Sequence, residues 1–360
     1  MLSRSAIRSY SVTVRDAPGN LSSVSVVING GSKAGKSGQA HLLSKFNFLN
    51  NELKSGLRFT RESELLGGIV SSKLTRDSII LNTQFLREDL PYFVESLNNV
   101  LTKTSFRPHE LSEIVLPSAL NDFTQASKSN AFKGEEALHK ISFKKGYGNS
   151  LYYDGSKSFS SEDIKEFSKT VYTSNNVEFF ASGVIEEDFK SFLSDLSLPT
   201  TSVESVPVKS YIGKESRIQS SGPSYAAIGL PIKPADFAKF DILSATIGSS
   251  LLPSSSPLSK IGAISRVLKY KDAGLFIVES SGDAAQVSES IKKAKSLISS
   301  VSSSDLKSSV KSANLLQALQ SSFESPLSYS IDESSANVKV TDFNYVAVGD
   351  IDVLPFADDL

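Results

Sequence analysis

Gly30-Gly31-Ser32-Lys33-Ala34-Gly35-Lys36-Ser37-Gly38-Gln39-Ala40-His41-Leu42-Leu43-Ser44-Lys45 is the stretch on which the reading of this chain turns. It follows Ser23–Asn29, where Val24, Val26 and Ile28 alternate with polar residues as in a half-buried strand. It runs into Ser37–Leu49, where Leu42, Leu43, Phe46 and Leu49 fall on one face of a helix. A strand, a glycine- and lysine-rich turn and an amphipathic helix are therefore predicted. Two motifs overlap within them.

The first is Gly30–Ser37, which satisfies the phosphate-loop pattern G-x-x-x-x-G-K-[ST] in full. In that loop backbone N–H groups wrap phosphates, the lysine pairs with them and the hydroxyl meets Mg²⁺. The chemistry also needs an apolar strand ending in Asp within a parallel sheet. The best candidate, Tyr345–Asp350, lies at the far end of the chain. A plain turn between strand and helix is the preferred reading, with nucleotide binding through Gly30–Ser37 as a distant alternative.

The second motif is a damaged one. In the inverted zinc-protease signature H-x-x-E-H, two histidines four apart bind Zn²⁺ and the glutamate activates water. Here His41 keeps the first position, Ser44 stands where the glutamate would be, and Lys45 where the second histidine would be. A serine hydroxyl is no general base near neutral pH, and an ammonium has no lone pair for a metal. The other histidines, His109 and His139, have no partner at ligand spacing. No catalytic residue, cofactor or metal is expected.

Outward from this stretch the first half reads as mixed α and β. Ile69–Thr75 and Ser78–Phe85 predict a hairpin across Arg76-Asp77, followed by an amphipathic helix over Glu88–Lys103 and another opened by Pro108. Helix Ser161–Tyr172, strand Val177–Ser182 and helix Glu186–Leu196 complete it. Ser197–Lys209, with Pro199 and Pro207, reads as a linker. The second half repeats the first in outline. Phe179–Ile185 and Tyr345–Ile351 both end an apolar strand at Gly before an acidic segment. Ser23–Leu49 likewise has a counterpart in Tyr225–Leu230 and Asp236–Ile247. These matches predict an internal duplication, with two unrelated α+β domains as the alternative. The domains expected are 15–198 and 210–360, joined by the linker 199–209. Ser249–Ser259 reads as a surface loop, and Ser296–Ser309 as a serine-rich stretch with room for helix.

At 360 residues, 39% hydrophobic and 21% charged, the chain has material for two ordinary cores. The net charge of −1 and the spread of Lys and Arg among acids give no patch for nucleic acid or an anionic membrane. With no cysteine there is no disulfide, thiolate metal site or cysteine nucleophile. No apolar run approaches the ~20 residues of a membrane-spanning helix. Met1–Tyr10 is acid-free, with Arg4 and Arg8 opposite Leu2, Ala6 and Tyr10 on a helix. That is the pattern of a mitochondrial presequence, cleaved between Tyr10 and Ser11, against the alternative of an ordinary basic terminus.

Gly31-Ser32, Gly38, Ala40–Leu43 and Phe48 resemble the active-site helix segment of the pitrilysin and mitochondrial processing-peptidase family. Further similar segments follow in order: Arg61–Gly68, Asp89-Leu90-Pro91, Phe167–Asn176, Lys269–Phe276 and Val348–Pro355. The resemblance implies two similar α+β domains, each an antiparallel sheet with helices on one face. It places the family's downstream Glu near Ser118, flanked by Glu113 and Asp122. Ser44 and Lys45 exclude the catalytic members. The substrate-recognising processing subunit carries a mobile glycine-rich loop where this chain has Gly248–Pro257, rich in Ser and Pro. Arg61–Gly68, Phe85–Leu120 and Phe343–Leu360 are most similar to the family's non-catalytic core subunits in the respiratory chain. That likeness implies a structural subunit, peripheral to the inner membrane on the matrix side. Its implied partners are a sister core subunit and membrane-embedded cytochrome subunits, without haem, cluster or quinone of its own.

Overall fold

The structure, a computed structural model, describes residues 10–200, 207–252 and 256–360. Of the expected presequence Met1–Tyr10, residues 1–9 lie outside the described residues, as do residues 201–206 of the expected linker. The chain divides into two compact units, one of residues up to 123 and 150–206, the other of 124–149 and 207–360.

The first unit is built on a five-stranded sheet of β1 (Ser11–Arg15), β2 (Leu21–Ile28), β3 (Ile69–Leu74), β4 (Ile79–Leu86) and β5 (Val177–Ser182), in the order β1-β5-β2-β4-β3. β1 pairs with β5 in parallel, and the other pairs are antiparallel. Its helices are α1 (Gln39–Phe46), α2 (Gly56–Leu65), α3 (Leu90–Lys103), the single turn α4 (Pro108–Glu110), α5 (Leu116–Ala126), α7 (Ser161–Val171) and α8 (Glu186–Phe192). A π-helical turn at Leu111–Val115 joins α4 to α5. The expected elements are all present, their ends differing by at most four residues and, for β5, not at all. β1, a short S-V-T-V-R alternation, and α2 are additional to them.

Alternation places the core. Ile79, Leu81, Thr83 and Phe85 of β4 are buried, while their neighbours along the strand are half-buried or exposed. Phe93 of α3 is fully buried and stacks on Phe85 with ring centroids 4.6 Å apart. The entry to α7 is fixed by a capping box, in which Ser160 and Asp163 satisfy each other's backbone N–H groups.

The second unit repeats the sheet with β6 (Glu215–Gln219), β7 (Ser224–Ile232), β8 (Ala263–Lys269), β9 (Gly274–Gly282) and β10 (Asn344–Gly349), in the order β6-β10-β7-β9-β8. Counting strands from the start of each unit, the two orders are the same, and in both the parallel pair is first strand on last. The segments matched in the sequence, β2 with β7 and β5 with β10, occupy equivalent places. Each sheet is thus mixed at one edge, where a purely antiparallel sheet was expected.

A second difference concerns the helices. α6 (Asn130–Phe143) comes from the first half of the chain but belongs to the second unit. Its Leu138 and Phe143 pack with Tyr225, Ala227, Leu275, Ile277, Val346 and Val348. α10 (Ala284–Ser300) covers the opposite face, with Val287 and Ile291 against Ala226, Ile228, Tyr345 and Ala347. This sheet carries helices on both faces. A division into 15–198 and 210–360 leaves out most of β1, which starts at Ser11, and puts α6 in the wrong unit. α9 (Phe237–Ile247) lies with α11 (Ser303–Ser308) and α12 (Val310–Gln320) beyond it. Much of Ser296–Ser309 is therefore helix, restarted by a second capping box of Ser302 and Asp305.

Buried charge ties this unit together. Asp241 of α9 is fully buried, 2.9 Å from the Lys269 ammonium at the end of β8, and accepts a hydrogen bond from the Tyr329 hydroxyl. Burial raises the Asp241 carboxyl and lowers the Lys269 ammonium, each opposed by the other's charge.

Candidate functional site

The turn before α1 is shaped by its neighbour hairpin. Gly31 N–H donates to the Asp77 carbonyl at 2.9 Å, Ser32 N–H to Thr75 at 3.1 Å and Lys33 N–H to Arg76 at 3.0 Å. Lys33 Nζ lies 2.7 Å from Asp77 Oδ1. The amides that would wrap a phosphate are spent on the β3–β4 turn. A Cβ on Gly31 would sit 2.4 Å from both Thr75 O and Ser78 N, so close backbone approach explains the glycine. Lys36 N–H is taken by Gln39 Oε1 at 2.8 Å. The phosphate-loop motif is a docking turn.

Gly38, at φ 93°, then admits the chain to α1 beside the Tyr153 ring, where a Cβ would meet Cδ2 at 2.7 Å. α1 buries almost every residue, His41 among them at 2% exposure. His41 Nδ1 accepts the Tyr153 backbone N–H at 3.0 Å. The proton is therefore on Nε2, which donates to Asp122 Oδ2 at 3.2 Å. The Tyr152 ring packs 4.9 Å from the imidazole. Burial pushes the His41 imidazole down to about 4; the Asp122 hydrogen bond opposes this, and the Lys45 charge adds to it.

One turn along α1, Lys45 Nζ lies 2.5 Å from the same Asp122 oxygen. Ser44 turns away and donates to the His41 carbonyl at 2.7 Å. The structure thus brings together His41, Lys45 and Asp122, with Ser118 one turn before Asp122 on α5 and Glu113 exposed in the π-helical turn. Asp122, one of the two acids flanking the expected position, is the carboxylate that reaches α1. Its i+4 spacing from Ser118 was the available signal.

A zinc ion does not fit these groups. Both imidazole nitrogens are engaged, one as an acceptor and one as a donor, and the second ligand position holds an ammonium. No group of three metal-ligating side chains occurs among the described residues. His109 is exposed on α4. His139 is buried on α6, its ring nitrogens 2.7 Å from the Glu135 carbonyl and from the Tyr270 hydroxyl.

Comparison with known proteins gives matches to two family models. The insulinase family of M16 peptidases matches residues 10–155, and the M16 inactive domain matches residues 158–309. The chain is 59% identical to the Debaryomyces hansenii protein named cytochrome b-c1 complex subunit 2, mitochondrial, over all of both chains. It belongs to the M16 peptidase family. Within the M16 peptidases it is also 40% identical to the Saccharomyces cerevisiae protein of the same name, over 99% of this chain and 97% of that one. Potato mitochondrial-processing peptidase subunit alpha is 31% identical over 51% of this chain and 37% of its own length. No helix among the described residues is long and apolar enough to cross a membrane.

Proposed function

We propose that this M16 protein is the non-catalytic core subunit 2 of the mitochondrial cytochrome b-c1 complex, which carries electrons from ubiquinol to cytochrome c. The full-length identity to proteins of that name carries the reading. The local chemistry supports it: His41, Ser44 and Lys45 form a vestigial motif with neither a base nor a second metal ligand. The role is assembly and stability of the complex through a large buried interface. Its partners are core protein 1 and the cytochrome subunits, and it is peripheral to the inner membrane on the matrix side. The basic terminus acts as a presequence cleaved between Tyr10 and Ser11.

The alternative, a substrate-recognising subunit of the processing peptidase, draws on a likeness that covers only half of this chain. The nucleotide-binding alternative loses its support with the amides of Gly31–Lys33 already bonded. The deciding experiment is purification of the tagged chain from detergent-solubilised mitochondria. Near-stoichiometric recovery with a haem-containing complex is expected; recovery with a presequence-cleaving activity and no haem overturns the reading.

A further inference from the structure

The dispersed lysines of the sequence are not dispersed in the second unit. Lys140, Lys144 and Lys145 end α6 and open the turn after it, all exposed. The segment Pro207–Lys214 returns to that place, because Tyr211 N–H donates to the Ser142 carbonyl at 2.8 Å. Asn344 fastens both, its amide donating to Ser142 Oγ at 2.9 Å and to the Tyr211 carbonyl at 2.7 Å. Lys144 Nζ lies 4.1 Å above the centre of the Tyr211 ring. Lys209 and Lys214 are thereby added to the first three, all exposed. Lys295 approaches from α10, with Nζ 5.1 Å from the centre of the Phe343 ring.

None of the five exposed ammonium groups has an ion pair among the described residues. Of the nearby acids, Glu215 is paired with Arg217, and Asp342 accepts from Thr341. The same short segment exposes two apolar side chains, Val208 at 36% and Ile212 at 44%. Unpaired lysines on flexible stems beside exposed aliphatic groups are the chemistry of an interfacial membrane contact. Lysine ammoniums meet phosphate as point charges, and the aliphatic groups enter the headgroup layer. An acidic protein surface would satisfy the charges but not Val208 and Ile212.

We propose that Lys140, Lys144, Lys145, Lys209 and Lys214, with Val208 and Ile212, form a docking face for the anionic phospholipid headgroups of a membrane surface. This goes beyond membership of a membrane complex, since it places a direct lipid contact on this chain.

The purified full-length chain is to be sedimented with vesicles of phosphatidylcholine alone, or with about one third phosphatidylglycerol, at low and high salt. Binding to the anionic vesicles only, falling as salt rises, is expected. Replacing Lys144, Lys145, Lys209 and Lys214 by Gln should weaken it roughly five-fold per lysine, a few hundred-fold in all. Melting temperature checks that this variant is folded. A second variant, Val208→Ser with Ile212→Ser, should weaken binding without changing its salt dependence. Equal binding to neutral vesicles, no binding to anionic ones, or an unchanged quadruple variant overturns the proposal. So does capture by polyglutamate without capture by vesicles, which assigns the patch to an acidic protein. Inorganic phosphate at millimolar concentration should not compete; full competition would reduce the face to a free-anion site and overturn it as well.

Discussion

Lys45 and His41 share a single carboxylate oxygen, Asp122 Oδ2, at 2.5 and 3.2 Å. An ammonium group thus links α1 to α5 at the place where the family's peptidases would set a divalent cation. The link is a permanent part of the side-chain set and needs no ligand.

Lys45→His removes that cation and supplies a second imidazole four residues from the first. With Asp122 already facing α1, the variant should hold about one zinc ion per chain, whereas the parent should hold none after dialysis. Elemental analysis measures this directly. Peptide cleavage should stay absent, since Ser44 offers no base; zinc in the parent, or none in the variant, contradicts the geometry.

His41 makes stability depend on acid. Its imidazole is held neutral, with a pKa near 4 against the ordinary 6.5. The unfolded chain therefore binds the extra proton first as pH falls. The contribution is complete above about pH 6.5 and is lost progressively down to about pH 4, amounting to roughly 3 kcal/mol. Denaturant unfolding at pH 7 and pH 4.5 should show a smaller acid loss for His41→Asn than for the parent. Equal losses would remove His41 as the cause.

Within the docking turn the glycine matters and the lysine does not. Gly31→Ala forces a methyl against Thr75 O and Ser78 N and should cost about 2–3 kcal/mol or more. Lys36→Ala should change stability by less than about 0.5 kcal/mol, as for ordinary surface sites. ATP or GTP should leave the melting temperature of the parent unchanged. A nucleotide-dependent rise would restore the phosphate-loop reading.

Asp241→Ala strands the Lys269 ammonium, which is 6% exposed. About 3–5 kcal/mol should be lost, as when one partner of a buried pair is removed. The double variant Asp241→Ala with Lys269→Met should recover much of it, and denaturant titration reads both. A double variant no better than the single one would show that the pair is not coupled.

Much of this was legible in the residues, and the failures have physical causes. Long periodic segments such as Glu88–Lys103 and Val177–Ser182 announced themselves, because one buried face writes its period into the chain. The replacement of a base and a metal ligand is legible too, since it needs only the identities of Ser44 and Lys45. α6 was not read as an element, and its membership of the second unit had no local signal at all. A helix's partner is chosen by what it packs against, and Leu138 meets strands far along the chain. The grouping of the second unit's exposed lysines has no local signal for the same reason. Lys144 and Lys209 are distant in sequence, and only the bond from Tyr211 to Ser142 makes them neighbours. For Asp122 the signal is its i+4 spacing from Ser118, which Glu113 lacks.

The order β6-β10-β7-β9-β8 places β10, the last of these strands in sequence, between two that come earlier. Without it β6 would have no strand partner and β7 would keep β9 alone. The alignment of this half of the molecule therefore hangs on one late strand, which meets β6 in parallel and β7 in antiparallel register.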